Sequence, residues 1–154
     1  MNYTKEIVDF NYSRNKLHLD IDLEARMFSE ETNEFMTSLL EKDLVGMIDA
    51  YCDSVYVLSG SKFKILSRLF NDVHEMNAAY TYVRNATEMC HYMNSILVTD
   101  YNVKSGDLLV AFNYVVEANS HKEMEGTTGK IKKGSKWKDP KEKIAKLLMA
   151  SSSK

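Results

Sequence analysis

A chain of 154 residues, 44% hydrophobic and 27% charged, is the size of one compact domain with a core of its own. No segment approaches the roughly 18 apolar residues that span a bilayer, and MNYTKEIVDF lacks the apolar run of a secretory signal, so a soluble, cytoplasmic protein is expected. The net charge of −2 hides an asymmetry: residues 122–154 hold ten of the 20 Lys and Arg but only four of the 22 acids, a tail of +6 on a body of −8. By composition alone such a tail reads as a solvated end before it reads as an anion contact.

One proline and six glycines leave long stretches free of breakers, and their apolar residues recur at helical spacing, so the predicted class is all-α. The first predicted helix covers Lys5 to Arg14 and leads into NKLHLDID, whose alternation suits a short extended piece equally well. The second runs from Asp22 to Glu41 with Leu23, Met27, Phe28, Phe35, Leu39 and Leu40 as its apolar stripe. Asp43 is placed to N-cap a central helix over 44–59, and Gly60 offers a left-handed stop. Two further helices are expected over 62–78 and 79–98, then one from the turn at Ser105-Gly106 through LLVAFNYVVEANSHK. Met76, Tyr80, Tyr82, Met89, Tyr92 and Met93 read as packing surface. From Glu125 a Gly- and Lys-rich loop precedes a short amphipathic helix, KEKIAKLLM, and a frayed SSSK end. Cys52 and Cys90, with no CxxC or metal-type spacing, read as buried reduced thiols.

Glu31 and Glu34 stand three apart on one predicted helix, and Asp49 and Asp53 four apart on the next, so each pair projects from a single helical face. Asp49 and Asp53 border the apolar stripe of their helix and are expected to be partly buried. Four carboxylates at a core edge lose hydration and repel one another, and no Lys or Arg lies within 44–60 to compensate them. A hard divalent cation with oxygen ligands, Mg²⁺ above all, resolves the conflict. On spacing alone, solvent-facing acids and ordinary ion pairs explain the pattern about as well.

EETNEFMTSLLEKDLVGMIDAYCDSVYVLSG resembles the MazG-like and phosphoribosyl-ATP pyrophosphohydrolase-like superfamily, in which an ExxE pair is followed by a segment of the form D-A-x-x-D-x-x-Y-V-x-x-G. Here these positions are Asp49, Ala50, Asp53, Tyr56, Val57 and Gly60. IVDFN resembles the family's opening helix, and VVEANSHKEMEGTTGKIKKGSKWKDPKEKIAKLL the closing segment of its phage-type members, at Asn119, Lys122, Gly129, Lys130, Lys133 and Gly134. Residues 63–107 match no known pattern and read as an enlarged helical hairpin. Many members carry ExxD in the second motif; Ala50 takes the place of that Glu, which makes Asp49 a less secure ligand than Asp53.

The resemblance implies a MazG-like helical bundle completed by oligomerisation into a homodimer or homotetramer. It divides the chain into a helical catalytic domain over 1–124 and a basic loop and short helix over 125–154 that closes the site. The implied reaction is hydrolysis of a nucleoside triphosphate to the monophosphate and pyrophosphate, for nucleotide pool control or house-cleaning. Metal, Mg²⁺ or Mn²⁺ and more than one ion per site, would be held by Glu31, Glu34, Asp49 and Asp53, with Glu31 or Glu34 also the catalytic base. Asn119, Lys122, Lys130 and Lys133 would bind the phosphates. The alternative is a catalytically silent nucleotide- or nucleic-acid-binding protein on the same scaffold, in which Trp137 stacks on a base amid Lys136 and Lys138. Other chemistries lack support: there is no HExxH, only one ExxH (Glu88, His91) where a di-iron bundle needs two, and GTTGK is too short for a P-loop.

Overall fold

The structure, a computed structural model, describes residues 5, 19–68, 70–124 and 131–153. The predicted helix over Lys5 to Arg14 and most of NKLHLDID lie outside them. The described residues form α1 (Ile21–Glu41), α2 (Leu44–Leu66), α3 (Val73–Ser95) with a π-helical extension Ile96–Asp100, α4 (Ser105–Ser120) and α5 (Lys141–Ser152). A minimal antiparallel hairpin, β1 (Lys122–Met124) and β2 (Ile131–Lys133), joins α4 to the tail, with Lys122 opposite Lys133. The all-α class stands, and the hairpin is the one departure from it.

α1 and α2 form a tight antiparallel pair. Asp20 caps α1 by accepting from the Leu23 amide at 3.1 Å, and Asp43 caps α2 by accepting from the Gly46 amide at 2.9 Å, as expected of it. The turn between them places Lys42 in the left-handed region at φ 58°. A Cβ on Gly46 would lie 2.5 Å from both Ser38 Oγ and the capping carboxylate of Asp43, so a larger residue there would have to displace one or both side chains.

α2 is the hub, packed against α1, α3, α4 and α5. Met47, Cys52 and Ser54 are fully enclosed, Asp49 is buried with them, and Asp53 is half-buried. It does not stop at Gly60. Ser61 and Lys64 lie on the face that meets α1, where both hydrogen-bond Glu24, and Ser61 Oγ also donates to the Val57 carbonyl at 3.0 Å. Those contacts carry the helix to Leu66. The next break therefore falls at 67–72, where Asp72 accepts from the His74 amide at 2.8 Å, and a single helix replaces the two expected over 62–78 and 79–98.

Burial corrects several apolar assignments. On α1 the inward stripe is Glu24, Phe28, Glu31 and Phe35, at i, i+4, i+7 and i+11, while Leu23 and Leu40 are exposed. On α3 only Tyr82 and Met93 of the Met and Tyr residues are buried; Met76, Tyr80, Met89 and Tyr92 are exposed, because a single seam of α3 meets the core. Cys52 is buried, Cys90 is half-buried, and both are free thiols. In the tail, Ile144 of α5 is fully enclosed in the main core, and α5 extends to Ser152. No described helix is long and apolar enough to cross a membrane.

Candidate active site

The inward stripe of α1 delivers Glu31 to the seam with α2, and Glu34 follows one turn later at its exposed edge. From α2, Asp49 and Asp53 meet them, four apart on one face. All four line a cavity of about 350 Å³, whose opposite wall comes from α4 and the tail through Asn119, Lys122 and Lys133. Seven of the eight site residues expected from sequence are thus brought together, and the eighth, Lys130, lies outside the described residues.

Burial dominates the electrostatics. Lost hydration, then the charges of Asp53 and Glu34, push the Glu31 carboxyl up to about 8. Burial and the neighbouring Asp53 raise Asp49 to about 7, with Lys141 opposing. Burial also raises Asp53, to about 6, against the pull of Lys122 and a hydrogen bond from Asn119, which donates as well to the Val115 carbonyl at 3.0 Å.

One oxygen stands out. Asp49 is only 7% exposed, and its Oδ1 is buried with no hydrogen-bond partner. An orphaned carboxylate oxygen costs desolvation without return, and here it belongs to an all-oxygen donor set with excess negative charge. That chemistry fits a hard divalent cation. Among the described residues no three His, Cys, Asp or Glu side chains are disposed to hold an ion.

Six further residues line the cavity, Val115, Ala118, Trp137, Asp139, Pro140 and Lys141; of these only Trp137 had a role in the sequence reading, as a base-stacking residue of the alternative binding protein. Asp139 Oδ1 accepts from the Lys141 amide at 3.0 Å, which sets the start of α5 at the cavity rim. The Asp-Pro-Lys step at 139–141 is a legible helix-start signal, but only the packing of α5 on α2 and α4 aims it at the acids.

Residues 2–77 match the family model described as phosphoribosyl-ATP pyrophosphohydrolase. Over this segment, just under half its length, the chain is similar to the phosphoribosyl-ATP pyrophosphohydrolase family, within the MazG-like superfamily. No curated protein and no solved structure matches the chain. The matched segment contains all four cavity carboxylates and none of the basic wall, so the similarity supports a pyrophosphohydrolase, a hydrolase acting on a phosphoanhydride bond of a nucleotide.

The raised carboxyls make stability depend on pH. Glu31, Asp49 and Asp53 titrate near 8, 7 and 6 in the folded protein, above their ordinary values of 4.5, 3.8 and 3.8, so the folded state holds more protons over that interval. Their contribution is complete below about pH 4 and is lost as pH rises through about 8. In EDTA the melting temperature is expected to fall between pH 5 and pH 8.5, and Mg²⁺ should recover it most at the alkaline end. A metal-free melting temperature that climbs across this range would count against carboxyls raised by burial.

Proposed function

We propose that the protein hydrolyses nucleoside triphosphates between the α and β phosphates, releasing the monophosphate and pyrophosphate, with Mg²⁺ or Mn²⁺ held by Glu31, Glu34, Asp49 and Asp53. The observation that carries this reading is the cavity itself: four carboxylates on α1 and α2, one with an orphaned oxygen, face Asn119, Lys122 and Lys133 across about 350 Å³. A triphosphate carries roughly four negative charges near neutrality, which the acidic wall alone would repel. Bound divalent metal would supply the counter-charge and polarise the phosphoryl oxygens, and the charge of the donor set suits more than one ion.

The chain's own groups then divide the work. Lys122 and Lys133 neutralise phosphate oxygens that face the tail, and Lys130 belongs to the same basic segment. Asn119 donates to Asp53 and holds that carboxylate in place. Glu31 or Glu34 takes the proton of the attacking water. Glu31 is sheltered by the α1–α2 seam and Glu34 is open at its edge, so their substitutions should separate in pH profile.

The reading is tested by offering common ribo- and deoxyribonucleoside triphosphates, together with phosphoribosyl-ATP, and separating the products. Monophosphate and pyrophosphate are expected. Diphosphate with orthophosphate would refute the assigned bond, and nucleotide binding without turnover of any compound would favour a silent binding protein.

A homo-oligomer is part of the same proposal. Val73, Met76 and Tyr80 lie on successive turns of α3 and are 71%, 50% and 65% exposed, an apolar row that a second copy would cover. Light scattering should return a mass of two or four times 17.7 kDa, and a monomer at micromolar concentration would exclude this.

A further inference from the structure

The two walls of the cavity differ in kind. Acids of α1 and α2 make one wall, suited to metal and phosphate, while Lys122, Lys133, Trp137 and Lys141 form the tail side. Trp137 is the sole aromatic among the described lining residues and the sole tryptophan of the chain. It is half-buried.

The ring is held, not loose. The Trp137 amide donates to the Gly134 carbonyl at 3.1 Å, and the Gly134 amide donates to the His121 carbonyl at 3.2 Å. This turn ties the indole to the base of the hairpin beside Lys122. The Lys133 ammonium lies 4.1 Å from the ring centroid, a cation–π contact that occupies one face of the indole.

We propose that Trp137 is the stacking platform for the nucleobase of the substrate, with Lys133 bridging its ring and the phosphates; this rests on the nucleotide-hydrolysis reading above. With the triphosphate drawn to the acidic wall, the base must leave in another direction, and only Trp137 offers it a π surface within the described cavity. A π face accepts any base, so the platform selects by ring area and not by hydrogen-bond pattern. Purine nucleotides should therefore bind more tightly than pyrimidine nucleotides, without strict choice among bases.

The single tryptophan makes the test direct. Full-length protein with Mg²⁺ is titrated with an α,β-methylene nucleoside triphosphate, which resists cleavage at that bond, and separately with inorganic tripolyphosphate, while tryptophan emission is followed. Saturable quenching by the nucleotide is expected; tripolyphosphate should reverse it by competition without quenching on its own. In parallel, Trp137→Ala should raise KM on the order of tenfold with little change in kcat, and Trp137→Phe should restore most of the loss. Equal quenching by tripolyphosphate, or an unchanged KM in Trp137→Ala, would overturn the platform while turnover by the wild type left the hydrolase reading intact. Absence of turnover by the wild type on every triphosphate would overturn that reading instead.

Discussion

Glu34→Gln and Asp53→Asn are each expected to reduce pyrophosphate release by at least about a hundredfold without unfolding the protein. Outer partners of metal ligands alone carry about 10–100-fold, and loss of a general base costs about 10²–10⁴, so a first ligand or base should cost no less. The sign of the stability change separates this account from simple misfolding. Asp53 is held up to about 6 chiefly by burial, against Lys122 and Asn119, so in the absence of metal its neutral replacement relieves the desolvation of a buried charge. Metal-free Asp53→Asn should then be more stable by about 0.5–2 kcal/mol, a gain of a few degrees in melting temperature. Mg²⁺ should raise the wild-type melting temperature and that of the variant much less. A variant that loses both activity and stability would point to a structural role for Asp53.

Breaking the Glu24–Lys64 pair should cost about 3–5 kcal/mol, because it leaves one buried charge without its partner. Glu24 is 2% exposed and Lys64 8%, and the carboxylate also accepts from Ser61 Oγ at 2.6 Å, while Ser61 and the Tyr82 hydroxyl share a bond of 3.0 Å. The pair ties the start of α1 to the end of α2, and the turn at Lys42 and Asp43 ties their other ends. Glu31, Glu34, Asp49 and Asp53 lie between these two fastenings. Lys64→Met should lower the denaturation midpoint sharply. The double change Glu24→Met with Lys64→Met should recover much of the loss, since apolar replacements of similar volume often equal a buried pair. A loss below about 1 kcal/mol in Lys64→Met would mean that Glu24 reaches water or another partner.

The acidic half of the site was legible in the sequence and the tail half only in part. Spacing of three and four residues places Glu31 with Glu34 and Asp49 with Asp53, and the resemblance orders the two motifs; Asn119, Lys122 and Lys133 followed from the tail motif. Asp139 and Lys141 did not follow, because their place at the rim depends on how α5 docks, which no local pattern encodes. Glu24 was hidden for a related reason. Hydropathy assigned the first turn of α1 to Leu23, but a buried Glu is stabilised by Ser61 and Lys64, 37 and 40 residues away. Gly60 misled in the opposite direction. Its intrinsic preference for a helix end is small, roughly 1 kcal/mol, and the bonds from Ser61 and Lys64 outweigh it. The helical class survived these errors because it rests on the whole chain's freedom from breakers, not on any one boundary.

The most direct test of the central claim is pyrophosphate release by the wild type from a single nucleoside triphosphate, measured in Mg²⁺ and then in excess EDTA. The carboxylate cavity predicts release that depends on the metal and returns when Mg²⁺ is restored. Release that persists undiminished in EDTA, or none from any triphosphate by well-folded protein, would contradict it.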